Sequence, residues 1–353
     1  MELADRPVDG GSLSDYDYEL PPGLIAQRPL PRRDASRLLY LPAQGAPRHH
    51  RFTELTTLLK AGDLVVLNET RVLPARIRFR IRERDAEILL LNPAARDEDT
   101  WECLVRPGKA APVGACLQLR FALWADVVDA APGGTRVLRF APPGRLRATL
   151  DQVGEAPLPP YIKQRLDDPE RYQTVYARVP GSAAAPTAGL HFTAELLAGL
   201  AAAGVEQAAL TLRIGLDTFQ PIRTQRLDEH VMHSEIYRVP RTTRVAIAAC
   251  RRRGGRVVAV GTTVARALEA AADRRARGDA GADAGATDIF IRPGFRFREV
   301  DLLLTNFHLP KSSLLMLVSA FAGRRRAMAA YREAIAEGYR FYSFGDAMLL
   351  ERA

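Results

Sequence analysis

The feature that most constrains this chain is a change of texture between Arg71 and Asp151. There, short β-like runs (ARIRFRIR, AEILLLN, WECLVRP, CLQLRF, ADVVDA, TRVLRF) are separated by Gly/Pro turns. RIRFRI alternates with period two, so one face is apolar and the other carries arginines. Several short strands at this spacing predict a small barrel or sandwich. On either side, strands alternate with helices, which predicts a partly parallel sheet covered by helices. The expected fold class is α/β: a main α/β domain over 14–70 and 152–353, with an inserted small all-β, barrel-like domain over 71–151. Residues 1–13, rich in Gly and Asp, are expected to be a flexible N-terminus.

Within the main domain, RLLYL and LVVLN read as strands, and Thr53 is expected to cap a helix through LTTLLK. Thr193 is expected to cap AELLAGLAAAG, followed by the strand LTLRIG and the helix TTRVAIAACRRRGG, closed by its glycines. RVVAVG is a buried strand leading directly into the helix TTVARALEAAADRR. RARGDAGADAGA reads as a flexible loop, TDIFI, FRFR and LLLTNF as strands, and SSLLMLVSAFAG and MAAYREAIAEG as helices.

The formal net charge of +9, with arginine triplets at 251–253 and 324–326, points to a polyanionic partner, of which nucleic acid is the usual one. The three cysteines form no CxxC pair. They predict neither a disulfide framework nor a cysteine zinc site, and they fit a reducing, cytoplasmic compartment. The N-terminal segment carries early acids and no apolar core, so no signal peptide is expected. No apolar stretch is long enough to span a bilayer, so no membrane partner is expected.

Four polar clusters carry candidate chemistry. Gly261-Thr262-Thr263 sits between a β-branched strand and a helix, where backbone amides stabilise a carboxylate, ribose or phosphate, and Arg266 lies one turn in. In NFHLPKSS, Asn306, His308, Lys311 and Ser312 converge at the end of an apolar strand, where α/β sheets bind ligands. EHVMHSE packs His230, His233 and Glu235 together. A helix or a strand is possible there, and alternation on a strand sets His233 and Glu235 on one face. Acid–base or substrate-binding histidines are preferred over a metal site, since HExxH is absent and no cysteine is near. The loop YARVPGSAAAPTAGLHFT offers Thr187, His191 and Thr193 on a backbone freed by Gly181 and Gly189. Arg71, Arg76, Arg106 and Lys109 are candidate phosphate-backbone contacts, whereas Arg78, Arg80 and Arg82 read as a solvated β face.

As a set, these clusters resemble the S-adenosylmethionine:tRNA ribosyltransferase-isomerase family of queuosine biosynthesis. The segments that carry the resemblance include GDLVVLNETRVLPARI, RYQTVYARVPGSAAAPTAGLHFT, HVMHSEIY, VVAVGTTVARALE, DLLLTNFHLPKSSLLMLVSAFAG and YRFYSFGDAMLL, colinear over nearly the whole chain. The resemblance implies an α/β domain with an inserted β domain. It implies a transferase that moves the ribosyl part of S-adenosylmethionine onto 7-aminomethyl-7-deazaguanine at the tRNA wobble position. The ribosyl part is isomerised to give epoxyqueuosine, and adenine and methionine are released. S-adenosylmethionine is then a substrate and no metal is expected. The partner is tRNA, with no obligate protein partner and a monomeric state. Under this reading His230, His233, Glu235 and His308 are the catalytic candidates, with His191 competing. Thr187, His191, Thr193, Gly261, Thr262, Thr263, Arg266, Asn306, Lys311 and Ser312 would bind S-adenosylmethionine. Arg71, Arg76, Arg106, Lys109 and Arg213 would meet the tRNA. Three positions depart from the family pattern: Arg213 replaces a usual histidine, Asp217 a usual small residue, and Ala286 a frequent aromatic. Rival readings are another S-adenosylmethionine-dependent RNA-modifying enzyme, such as a methyltransferase, and a non-catalytic RNA-binding relative.

Overall fold

The computed structural model describes residues 11–81, 83–94, 98–130, 134–215, 222, 224 and 226–353. The chain divides into two compact units. The first holds the described residues through Arg71, with Pro160–Val179 and Ala185–Ala353; the second holds Val72–Pro159 and Pro180–Ala184.

The first unit is built on a nine-stranded mixed sheet. Its strands run, edge to edge, Ala284–Thr287, Glu235–Arg238, Glu206–Leu212, Leu64–Asn68, Val257–Val260, Leu302–Asn306, Ala347–Glu351, Arg37–Leu41 and Arg48–Arg51. The four strands from Glu206–Leu212 to Leu302–Asn306 are parallel neighbours. These central strands read as continuous apolar runs because both faces are covered. On one face Val65, Leu67, Val258, Val260, Leu302, Leu304 and Leu349 pack against Phe52, Leu55, Phe192, Leu196 and Leu200. Each such buried aliphatic side chain contributes about 1.5–3 kcal/mol relative to exposure. Helices Ala194–Ala202, Arg241–Arg252, Thr262–Ala276, Ser313–Ala322 and Arg324–Ala336 accompany the sheet. The second unit is a seven-stranded antiparallel sheet, so the α/β class with a separate small β-sheet stands.

Several local expectations are corrected. LTTLLK yields only the short helix Leu55–Leu58 after a 3-10 turn, Phe52–Glu54, and Thr53 caps nothing; the Glu54 carboxylate accepts the Arg51 N–H instead. The loop through RARGDAGADAGA ends earlier than expected, in the strand Ala284–Thr287 paired with Glu235–Arg238. TDIFI and FRFR form no strand beyond Thr287. There the Glu269 carboxylate accepts the N–H groups of Arg298, Glu299 and Val300, so those donors bond a side chain rather than a ladder. Phe295 and Phe297 stack edge-on with each other, and Phe297 with Phe321. They serve as an apolar plug, not as one face of a sheet. Among the described residues no helix is long and apolar enough to cross a membrane.

Candidate active site

Three parallel strands end side by side: Leu64–Asn68, Val257–Val260 and Leu302–Asn306. A cleft opens by the ends of the latter two. Of the residues singled out from sequence, Thr187, Gly261, Thr262, Thr263, Asn306 and His308 line it.

Gly261 makes this possible. Its φ of +93° and ψ of 153° fall in a region that only glycine enters readily. The chain therefore turns abruptly from strand into the Thr262–Ala276 helix, whose amino end has no side-chain cap. The free N–H groups of that first turn, with their positive partial charge, face the cleft lining. Thr263 Oγ1 is buried there without a partner.

Asn306 is oriented by its own hydrogen bonds. Its Nδ2 donates to His191 Nε2 (3.2 Å) and to the Tyr342 carbonyl (3.1 Å). Both partners are acceptors, so Oδ1 is the atom left over, and it is buried without a donor. His191 must then carry its proton on Nδ1, which donates to Ser36 Oγ at 2.8 Å. Its ring stacks on Phe52 at 4.9 Å. Burial, with Arg340 and Arg33 nearby, lowers its pKa to about 3. His308 shares a 2.7 Å hydrogen bond with Thr305 and donates its backbone N–H to the Tyr331 hydroxyl, and burial lowers its pKa to about 3 also. Both imidazoles are therefore neutral at physiological pH.

A second cluster lies along the same helix. Arg266 is ion-paired with Glu235, the side chains being 3% and 1% exposed, and Glu235 Oε1 stands 3.4 Å from His233 Nε2. The 3-10 turn ends at Glu229 and the chain from His230 is extended, so the two histidines share no helix. The pairing Leu212↔Tyr237, continued by the Arg213 N–H to the Ile236 carbonyl, sets Glu235 across from Ile214, itself a cleft residue. His230 packs edge-on against Phe290 at 5.2 Å, and burial, then His233, lowers its pKa.

Other expected site residues are not brought to the cleft. Thr193 and Ser312 cap helices, accepting from the Leu196 and Leu315 N–H groups. Lys311 is ion-paired with Asp17 at 2.7 Å. Arg71 pairs with Glu170, while Arg76 and Arg106 of the second unit both approach Glu87, at 3.7 and 3.6 Å. Lys109 lies in the 3-10 turn Gly108–Ala110 of the second unit. Arg213 is exposed at the end of its strand; Asp217 and Arg82 lie outside the described residues.

Sequence reasoning gave no role to Tyr161, Ile214, Tyr342 and Ser343, which complete the lining. The Tyr161 and Tyr342 rings stand 4.8 Å apart, and the Tyr161 and Ser343 hydroxyls are 2.6 Å apart. Their signal was the pair of positional outliers in LPPYI and YRFYSFGD, two polar-tipped aromatics in Pro/Gly-rich turns. Among the described residues no group of three or more His, Cys, Asp and Glu is placed to hold a metal ion.

A family model described as queuosine biosynthesis protein matches residues 13–350. The S-adenosylmethionine:tRNA ribosyltransferase-isomerase of Moorella thermoacetica is 54% identical over 96% of this chain and 99% of its own length. That of Symbiobacterium thermophilum is 53% identical over 96% and 99%. The crystal structure of the S-adenosylmethionine tRNA ribosyltransferase of Thermotoga maritima matches at a TM-score of 0.54 and 40% identity, covering 96% of this chain and all of that one. A strand-end cleft with an uncapped helix terminus, in a chain that matches such relatives from end to end, has one reading: the chain belongs to the S-adenosylmethionine:tRNA ribosyltransferase-isomerase family.

Proposed function

We propose that this enzyme transfers and isomerises the ribosyl moiety of S-adenosylmethionine onto 7-aminomethyl-7-deazaguanine at the tRNA wobble position, releasing adenine and methionine. The observation that carries the site assignment is the pair of buried, unpartnered oxygens, Thr263 Oγ1 and Asn306 Oδ1, on residues that line the cleft beside the uncapped helix end. A buried polar atom without a partner costs about 1–3 kcal/mol. A ligand that supplies donors to Asn306 Oδ1 and acceptors to the helix N–H groups recovers that cost. A ribose diol and a purine edge both offer donors and acceptors together, and the Tyr161 and Tyr342 rings give a base a flat apolar wall.

The sulfonium makes the adjoining ribose C5′–H acidic, and a base must take that proton. We assign this to His233. Glu235 orients its imidazole, and Arg266 fixes Glu235. His308 and His191 are poor bases, because an imidazole with a pKa of about 3 accepts protons weakly. We assign them to hydrogen bonding: His308 as a neutral partner in the cleft and His191 as the group that fixes Asn306. Thr193 and Ser312 support the site by capping helices. The RNA is assigned the arginines outside the cleft, including Arg76, Arg106 and Arg213 with Lys109. The compartment is the cytoplasm, where tRNA is modified.

The test is incubation with S-adenosylmethionine and an anticodon stem-loop carrying 7-aminomethyl-7-deazaguanine, followed by mass spectrometry. Adenine, methionine and epoxyqueuosine are the expected products, with turnover abolished in His233→Gln. Adenosylhomocysteine with methylated RNA would mean a methyltransferase instead, and binding without turnover a non-catalytic relative.

A further inference from the structure

Behind His191, away from Asn306, lies a second, small cavity. Arg33, Ser36, Arg171, Leu190, His191 and Ser343 contribute to its walls. Ser343 also lines the main cleft, and His191 contacts Asn306 of that cleft, so the two spaces adjoin.

Two guanidiniums meet at this cavity. Arg33 donates to the Leu190 and Glu170 carbonyls at 3.3 and 2.9 Å, and Arg171 to the Pro31 and Leu30 carbonyls at 3.1 and 2.6 Å. Those acceptors are neutral, and the carboxylates that act on Arg33, those of Asp168 and Glu170, form no ion pair with it among the described residues. Arg171 Nε is buried with no partner at all. Ser36 receives the His191 Nδ1 proton, which leaves its own hydroxyl proton free to donate. Burial, then Arg171, lowers the pKa of Arg33 against the opposing pull of Asp168 and Glu170. Two arginines and a hydroxyl donor line one small space, and the guanidiniums hydrogen-bond there only to neutral carbonyls, which leaves them able to hold an oxyanion.

We propose that this cavity is an oxyanion subsite for a group tethered to the ligand in the main cleft, held by Arg171, Arg33 and Ser36. Two sources have that chemistry: the methionyl carboxylate of S-adenosylmethionine, and an RNA phosphate next to the wobble nucleotide. The inference rests on the proposed reaction.

The experiment compares substrates with and without each charge in the parent enzyme, Arg171→Gln and Arg33→Gln, with adenine release as the readout. One arm uses S-adenosylmethionine and its decarboxylated analogue; the other uses stem-loops with a phosphate or a neutral methylphosphonate beside the wobble nucleotide. In the parent, one arm loses roughly 10-fold or more in kcat/KM when the charge is removed, a charge-assisted hydrogen bond being of that order. In the variants that discrimination collapses toward unity. Discrimination that is the same in parent and variants overturns the subsite and leaves the arginines as staples of the 29–36 segment. Should the variants fail to fold, sulfate against chloride at equal ionic strength tests the parent alone. Sulfate inhibition competitive with one of the two substrates supports the subsite; none beyond that of chloride overturns it. A parent that releases no adenine refutes the reaction rather than the subsite.

Discussion

Glu235→Gln tests the buried pair at the centre of the proposed machinery. Both partners are almost fully enclosed, and of the Arg266 donors only Nη1 is satisfied by Glu235, since Nε and Nη2 already lack partners. Two unit charges at 4 Å attract by about 4 kcal/mol at an effective dielectric of 20. Removing one of them strands the other in a medium that solvates it poorly, a loss of about 3–5 kcal/mol. At roughly 1–2 °C per kcal/mol for a chain of this length the melting temperature falls by roughly 3–10 °C. The companion variant removes both charges, as Glu235→Leu with Arg266→Met. It recovers most of that stability, because the cost of burying the ions disappears together with their attraction. Turnover does not recover, because His233 has lost the carboxylate that orients it. The assay is therefore a four-variant cycle read twice, by thermal unfolding and by adenine release. A Glu235→Gln protein within 1 °C of the parent, or a double variant that regains activity along with stability, refutes the reasoning.

Gly261→Ala forces a side chain into φ +93°, ψ 153°, a strain of about 1–3 kcal/mol; calorimetry should show weakened S-adenosylmethionine binding with the fold intact. Glu269→Ala removes the acceptor of three backbone N–H groups, a loss of about 3 kcal/mol or more, and trypsin should cut faster at Arg296 and Arg298. The pH dependence follows from His191 and His308, whose folded pKa values of about 3 lie below the ordinary 6.5. The unfolded chain binds protons first, so stability is full above pH 6.5 and is lost as pH falls from 6.5 toward 3. At pH 4.5 the loss is about 2.7 kcal/mol for each imidazole; urea midpoints should track it, and His191→Gln should flatten the slope by about half.

Much of the central architecture was legible because its signals are local. Leu64–Asn68, Val257–Val260 and Leu302–Asn306 are apolar runs bounded by turn residues. The GTT turn joins a strand directly to a helix, and Thr193 caps as its neighbours predict. What was not legible depends on distant partners. FRFR alternates like a strand, yet Glu269, 29 to 31 residues earlier in the chain, captures the N–H of its last residue, Arg298, and those of Glu299 and Val300. Thr53 has the chemistry of a cap, but the Glu54 side chain reaches back and satisfies the turn first. In the site, the polar types in NFHLPKSS were visible, but not their division of labour. Asn306 and His308 face the cleft, while Ser312 is spent on a helix end and Lys311 on Asp17. Tyr161 and Tyr342 lie about 180 residues apart in sequence, and only the fold makes them neighbours.

The Thr262–Ala276 helix gathers polar groups of the proposed site onto one element. Its first turn faces the cleft, its second reaches Glu235 through Arg266, and Glu269 ties down the 298–300 segment. Its last turn holds Asp279, Asp283 and Glu299 through Arg274 and Arg275. Residues 262–272 of the helix are buried without interruption, and alanine at five of those eleven positions lets its backbone pack closely. One rigid element thus fixes both the ligand-facing amides and the carboxylate that orients the proposed base. A reaction that must remove a proton, expel adenine and form a new bond in sequence gains from such preorganisation, because no step waits on the side chains to rearrange. The same rigidity means that a substitution at Arg266 disturbs the chemistry through Glu235 and the stability through an orphaned charge at once, which is why the two must be measured together.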